Sequence, residues 1–344
     1  MRIPGRFVAG IAFAVALCNS HAYGAALPFD VIQTAVTGET GNSLPGGNPA
    51  AQTATHENTQ ATDPDAAARP ALPTAKNPNL PTIYLVGDST VRNGRGDGAN
   101  GQWGWGEPLA DDFDPAKINF ANRAIGGRSS RTYITEGRWD ELLAKLKPGD
   151  FVILQFGHND PGPLDDPARA RGTLRGTGEE TKEIFNPITK KQEVVHTYGW
   201  YMRKYIAEIR AKHATPILLT LTIRNIWTAG ADGRQRIERD MGYDAAIRQL
   251  ASDQQVLLVD MANYEADHLE AAGPDKTALL FPLDHTHSSA EGAELNAQIF
   301  VRALRATQSP LIGYLAQGIQ WPEIAVPTTP AAPASIKSAD GAAR

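Results

Sequence analysis

The chain has 344 residues, of which 21% are charged, and a formal net charge of −5 at pH 7. This balance lacks the strongly basic footprint of a nucleic-acid-binding domain, so we expect no nucleic-acid partner. The length allows one or two domains, and the single cysteine, Cys18, excludes a disulfide framework within the chain.

Residues 1–25 have the pattern of a secretory signal peptide. Arg2 and Arg6 precede an apolar run over residues 7–18, which is too short to span a membrane as a helix. Small residues follow at 22–25, where we expect cleavage. A retained anchor helix is the alternative. The pattern therefore predicts a secreted or periplasmic protein that has no membrane contact and no cysteine after cleavage.

Two further segments have the composition of unstructured chain. Residues 26–79 are rich in Thr, Ala, Asn, Pro and Gly and lack helical or strand periodicity, and residues 322–344 have the same character. A run of this length without periodicity favours a disordered linker or tail. The folded unit is expected over residues 80–321, a length that suits a single α/β domain.

Within residues 80–321, short apolar runs alternate with helical patterns. The predicted strands are residues 83–86, 118–121, 151–156, 217–221 and 256–259, and the predicted helices include residues 139–146, 202–209, 243–250 and 295–304. Continuous apolar runs are typical of strands that are covered on both faces. The alternation predicts a mainly parallel five-stranded sheet with helices on both faces, and ligand sites in such sheets form beyond the carboxyl ends of the strands.

Three of these strands end in short motifs that could carry chemistry. Residues 87–90, Gly-Asp-Ser-Thr, place the Ser89 hydroxyl just past the first strand, although a Ser/Thr pair there is also typical of a helix N-cap. Residues 126–129, Gly-Gly-Arg-Ser, could turn backbone N–H groups toward an oxyanion or form a plain loop. Residues 157–160, Gly-His-Asn-Asp, could aim the Asn159 amide into the same crevice or form an Asx-turn.

A fourth motif, Asp-His-Thr-His at residues 284–287, precedes the last predicted helix. The spacing of Ser288 and Glu291 matches a capping box, so we expect that helix to begin after Ser288. Asp284 and His287 are three residues apart on a turn, where the carboxylate can fix the imidazole tautomer. The two histidines could instead bind a metal, but no His-Glu-x-x-His motif is present. We expect neither a metal nor another cofactor.

Together the four motifs supply a nucleophile, oxyanion donors, a base and an orienting acid for acyl transfer. On these motifs, matched in order, the sequence resembles the SGNH (GDSL-like) hydrolase superfamily and, within it, the rhamnogalacturonan acetylesterase family. The resemblance spans about residues 80–306 and includes Trp105-Gly106-Glu107 and residues 197–201. Thr90 stands where the superfamily name has Leu, as is usual in this esterase branch.

The resemblance implies a three-layer α/β/α sandwich and a carboxylic ester hydrolase with a Ser-His-Asp triad. Ser89 would be the nucleophile, His287 the general base and Asp284 its orienting acid. The backbone N–H groups of Ser89 and Gly127 and the side-chain amide of Asn159 would form the oxyanion hole.

The resemblance also implies that the substrate is an acetylated pectic polysaccharide, and we expect a monomeric enzyme. Arg128 and Arg131 could bind uronate carboxylates, and Trp105 and Trp200 could stack on sugar rings, although surface charge and core packing are the plainer interpretations. The same interpretations apply to Arg92, Arg224, Trp103 and Trp227. The long segment 161–196 is expected to be an inserted loop that borders the site.

Other functions stay open. The enzyme could deacetylate xylan or another glycan, or be a small-ester lipase or thioesterase, although the sequence contains no long apolar segment of the kind that forms a lipase lid. The alternative from another class is a non-catalytic carbohydrate-binding protein, which the intact set of Ser89, Asp284 and His287 disfavours.

Overall fold

The computed structural model describes residues 74–92 and 101–318. The predicted signal peptide, most of the predicted linker and the predicted C-terminal tail lie outside the described residues. Among the helices that are described, none has the length and apolar character needed to cross a membrane.

The described chain contains nine strands, seven α-helices and two short 3-10 helices. The strands are β1 (Thr82–Gly87), β2 (Asn119–Asn122), β3 (Phe151–Gln155), β4 (Thr181–Asn186), β5 (Lys191–His196), β6 (Thr215–Leu219), β7 (Trp227–Ala229), β8 (Gln235–Ile237) and β9 (Leu257–Val259). The α-helices are α1 (Thr132–Thr135), α2 (Arg138–Leu143), α3 (Tyr198–Ala211), α4 (Asp244–Asp253), α5 (Met261–Ala272), α6 (Pro274–Ala278) and α7 (Ala290–Arg305). The 3-10 helices are Pro108–Asp112 and Pro310–Tyr314.

A five-stranded sheet in the order β2-β1-β3-β6-β9 forms the centre of the domain, and every neighbouring pair in it is parallel. Alternate side chains of a strand point to opposite faces, so Ile83 and Leu85 of β1 enter one core cluster while Tyr84 and Val86 enter the other. Apolar residues of α5 and α7 cover the first face, and those of α2, α3 and α4 cover the second. The predicted three-layer α/β/α sandwich is therefore confirmed.

All five predicted strands of the sheet are present, with shifted ends. The predicted strand 217–221 runs instead over Thr215–Leu219. The chain leaves the ladder there because the Leu221 N–H donates to the Asp244 carboxylate at 2.7 Å. The last helix also begins one residue later than predicted. Ser289 is its N-cap and accepts from the Gly292 N–H at 3.2 Å, whereas the Ser288 hydroxyl donates to the Trp103 carbonyl at 2.9 Å.

Part of the segment 161–196 is more ordered than a loop, because β4 and β5 form an antiparallel hairpin within it. Ile184 and Val195 on its inner face are buried, whereas Phe185 and Val194 are exposed. The predicted linker also departs from expectation at its end. Asn77 exchanges two hydrogen bonds of 2.8 Å with the side chain of Asn119 in β2.

Helices cover both faces of the sheet, so loss of side-chain volume in its central strand, β3, should lower the stability of the domain. Ile153 in β3 is 0% exposed, whereas Ile188 in the β4–β5 turn is 50% exposed. We expect Ile153→Ala to lower the free energy of unfolding by about 2–5 kcal/mol, because it leaves a cavity between close-packed layers. The matched variant Ile188→Ala should change it by less than about 0.5 kcal/mol. Denaturant unfolding measures both values, and equal losses would contradict this account of the core.

Candidate active site

A tight turn after β1 presents the Ser89 side chain. The buried Asp88 carboxylate accepts hydrogen bonds of 2.9 Å from both the backbone N–H and the hydroxyl of Thr90. The Val91 and Arg92 N–H groups donate to the Asp88 carbonyl. Asp88 therefore stabilises the turn, and the Ser89 hydroxyl lies at the carboxyl edge of the sheet, where it meets His287.

The side chains of Ser89, His287 and Asp284 form one chain of hydrogen bonds. Ser89 Oγ lies 2.8 Å from His287 Nε2, and His287 Nδ1 lies 2.8 Å from Asp284 Oδ2. Asp284 Oδ1 accepts from the backbone N–H groups of Thr286 and His287 at 2.7 Å each. A carboxylate beside Nδ1 holds the proton there, so Nε2 is the acceptor that faces Ser89.

The environment of Asp284 keeps this carboxyl ionised. Burial raises the pKa of Asp284, but the hydrogen bonds and charge of His287, with the hydrogen bond from Thr286, outweigh burial and hold the pKa well below its usual range. Both ring nitrogens of His287 are engaged in hydrogen bonds, one to Ser89 and one to Asp284. In the described part of the chain, no group of three or more metal-ligating side chains is arranged to hold a metal ion.

The predicted oxyanion donors lie on two loops that are bonded to each other. The Asn159 amide donates to the Arg128 carbonyl at 3.0 Å, and an amide has a second N–H with which it can bind a ligand. Gly127 has a φ of 74°, in the left-handed region that favours glycine. Its N–H donates to no backbone acceptor among the described residues, and its role as an oxyanion donor stays a prediction.

The buried carboxyl of Asp160 connects these two loops, a role that was not predicted from the sequence. It accepts from the Ser130 N–H at 3.2 Å and from the Ser130 hydroxyl at 2.5 Å. Burial raises the pKa of Asp160 to about 7. The position of Asp160 directly after Asn159 could have indicated this role. A carboxyl there can reach the glycine loop, residues 126–131, while the Asn159 amide faces the site.

Two predicted substrate-binding residues are excluded by burial. Trp105 is 0% exposed, its Nε1 donates to Gln155 at 2.9 Å, and its ring stacks on Phe300. The Arg131 side chain is also 0% exposed and forms a bidentate ion pair with Glu193, with two contacts of 2.7 Å. Neither side chain can reach a polysaccharide, so both predictions are wrong.

The other two candidates are partly exposed. Arg128 pairs with Glu136 at 3.0 Å and donates to the Gly126 carbonyl at 2.9 Å, so part of its role is to hold the glycine loop. Trp200 stacks on His196 with ring centroids 3.7 Å apart. Both side chains stay reachable from solvent, and their contact with substrate stays a prediction.

A sequence profile described as the GDSL-like Lipase/Acylhydrolase family matches residues 85–295, which include Ser89, Asp284 and His287. The chain belongs to this family. The predicted resemblance to the SGNH hydrolases is thereby confirmed, and the protein is a carboxylic ester hydrolase.

Several named proteins are similar to this chain in sequence or in structure. The chain is 35% identical over 224 residues to a rhamnogalacturonan acetylesterase of Emericella nidulans, covering 65% of this chain and 84% of that protein. It is 31% identical to a probable rhamnogalacturonan acetylesterase of Bacillus subtilis, covering 67% of this chain and 94% of that protein. The solved structure of the YXIM protein of Bacillus subtilis is similar with a TM-score of 0.53 and 27% identity, over 66% of this chain and 57% of that one.

A further buried carboxyl, Glu265, lies beneath the site. Glu265 of α5 accepts from the Ile223 N–H at 2.8 Å, on the segment whose Asn225 N–H donates to the His285 carbonyl at 2.8 Å. Burial raises the pKa of Glu265 to about 8 from an ordinary value of 4.5. The folded protein therefore keeps a proton that the unfolded chain releases at lower pH.

This proton makes stability fall as pH rises. Between about pH 4.5 and 8 the unfolded state gains the ionised form of Glu265 and the folded state does not, which lowers the free energy of unfolding by up to about 1.4 kcal/mol per pH unit. Glu265→Gln stays neutral, so its stability relative to the wild type should increase across that window. The exposed Glu294→Gln on α7 is the matched control. Denaturant unfolding at a series of pH values measures the difference in free energy of unfolding between Glu265→Gln and the wild type. A difference that does not change with pH would disprove the account.

Proposed function

We propose that this protein is a secreted serine acetylesterase that acts on pectic polysaccharide of the rhamnogalacturonan type. The observation that carries the proposal is the unbroken hydrogen-bond chain from Ser89 Oγ through His287 to Asp284. In this arrangement an ordinary serine hydroxyl has an immobilised base within proton-transfer distance.

In the first step, His287 Nε2 takes the Ser89 proton while Oγ attacks the acetyl carbonyl carbon. Asp284 stabilises the resulting imidazolium, and because its pKa is held low it does not take the proton itself. The carbonyl oxygen becomes a tetrahedral oxyanion within reach of the Ser89 and Gly127 N–H groups and the second Asn159 N–H. Each such donor typically contributes about 10²–10³ in turnover.

In the second step, protonated His287 donates its proton to the leaving sugar oxygen, and the carbon–oxygen bond to the sugar breaks. The acetyl group stays on Ser89 as an ester. A water molecule then gives a proton to His287 and attacks this ester, and acetate leaves as Ser89 regains its proton. No metal or cofactor takes part in any of these steps.

Substrate and location are supported by separate observations. The rhamnogalacturonan acetylesterases among the relatives support an acetyl ester on an acidic pectic polymer as the substrate. Partly exposed Arg128 and Trp200 offer a positive charge and a flat apolar surface for a sugar chain. The predicted signal peptide supports export, after which the enzyme would meet a polymer that cannot enter the cell.

The triad can be tested with a soluble chromogenic acetate ester. We expect Ser89→Ala to fold normally and to lose about 10³-fold or more in turnover, because it removes the atom that forms the acyl-enzyme. His287→Ala should lose a similar amount, since the two residues act as one unit. The matched control is Ser252→Ala, at an exposed serine of α4, which should keep the wild-type rate. Near-normal turnover by Ser89→Ala would reject the proposal.

A further inference from the structure

Arg224 lies between two motifs of the site, on the segment that follows β6. Its Nη2 donates to the His158 carbonyl at 3.2 Å, next to the oxyanion donor Asn159. The backbone of the following residue, Asn225, donates to the His285 carbonyl at 2.8 Å, next to the triad acid Asp284. The guanidinium is therefore placed beside the catalytic machinery without belonging to it.

The charge of Arg224 lacks a close partner within the described residues. No carboxylate there forms an ion pair with it, and its Nε is buried without a hydrogen-bond acceptor. Burial lowers the pKa of Arg224 despite the opposing charges of Asp88, Asp284 and Glu238. A guanidinium that is partly removed from water and held by one carbonyl is unfavourable unless an anion completes its contacts.

Other arginines of the domain already have such partners. Arg128 pairs with Glu136 at 3.0 Å, and Arg131 pairs with Glu193 at 2.7 Å. Each of these guanidinium groups has a carboxylate partner within the fold, which leaves it less able to attract a second carboxylate. Arg224 differs from these two because no carboxylate among the described residues forms an ion pair with it, while its side chain remains partly exposed.

The segment that carries Arg224 is held on both sides. The Ile223 N–H is bonded to the buried Glu265 carboxyl at 2.8 Å, and the Asn225 side chain accepts from Trp227 Nε1 at 2.8 Å. A charged side chain on such a support loses little conformational freedom on binding a ligand. Such contacts on both neighbouring residues are typical of a preorganised binding residue and not of a mobile surface arginine.

We propose that Arg224 binds the carboxylate of a uronate residue adjacent to the acetylated sugar, and so selects acidic polymers over neutral ones. This inference rests on the proposed function, since it assumes that an acetylated polysaccharide occupies the crevice beside Ser89. The planar guanidinium matches a carboxylate in geometry and can donate two parallel hydrogen bonds. The contact positions the polymer and takes no part in acyl transfer.

The experiment compares one polymer in two charge states. Acetylated rhamnogalacturonan is used as it is and after its uronates are converted to neutral methyl esters, and released acetate is measured. Full-length wild type should have a higher kcat/KM on the acidic form. Arg224→Ala should lose about 10- to 100-fold on the acidic form, mainly through KM, and the ratio between the two polymers should approach one. Arg224→Lys should retain part of the preference as a point charge.

Two further variants control for charge and folding. Arg210→Ala removes an exposed arginine near the end of α3, whose side chain donates to the Gln254 and Gln255 carbonyls, and it should keep the wild-type ratio. Arg224→Gln preserves much of the side-chain volume, so it tests the charge if Arg224→Ala unfolds.

The outcomes separate this inference from the proposed function. Equal losses of kcat/KM on both polymers, caused by a lower kcat, would mean that Arg224 supports the triad. An unchanged ratio between the two polymers in the Arg224 variants would mean that another group binds the carboxylate. Equal rates of the wild type on both polymers would also overturn the inference while the esterase mechanism stands. No acetate release from either polymer by the wild type would overturn the proposed substrate itself.

Discussion

The parallel pairing of β1, β2, β3 and β6 is the constraint on which the site depends. Parallel strands end at one edge of a sheet, so the loops that follow them meet there regardless of their separation in sequence. Ser89 and His287 are 198 residues apart and yet lie 2.8 Å from each other. A shift of one residue in the register of β1 would turn its core-facing residues to the opposite face and displace Ser89 from His287.

Buried carboxyls beneath this edge then fix the loops relative to one another. Asp88 holds the nucleophile turn, Asp160 joins the glycine loop to the Asn159 loop, and Glu265 anchors the segment that leads to Arg224. Burial raises the pKa of all three carboxyls, which costs stability but supplies acceptors that do not exchange with water. In contrast, Asp284 is held ionised. The site thus separates carboxyls that support the loops from the one that is bonded to His287, the proposed base.

Local pattern was enough to predict the central architecture. The apolar runs that became β1 and β3 bury every side chain, so their composition alone identified them as interior strands. The contacts of His287 with Ser89 and Asp284 were predictable because Asp284 and His287 lie within one turn, and because a resemblance covered all four motifs. The β4–β5 hairpin was missed since its exposed face mixes charged residues with Phe185 and Val194, which obscures the alternation expected of a strand.

The wrong predictions share one physical cause, which is that the deciding contact is distant in sequence. Arg131 pairs with Glu193, which is 62 residues away, and Trp105 donates to Gln155, which is 50 residues away. Neither partner can be identified from periodicity or composition around the residue itself. The same reasoning explains why Arg224 was not distinguished from other arginines, because the property that separates it from Arg128 and Arg131 is that no carboxylate among the described residues forms an ion pair with it.

The claim that Ser89 carries the acyl group is tested most directly by trapping the covalent intermediate. The purified enzyme is mixed with a rapidly hydrolysed acetate ester, quenched in acid during turnover and digested for peptide mass mapping. The account predicts that the peptide containing Ser89 gains the mass of one acetyl group, and that a fluorophosphonate probe labels the same residue and abolishes turnover. Full activity with Ser89 unmodified by either reagent would contradict it.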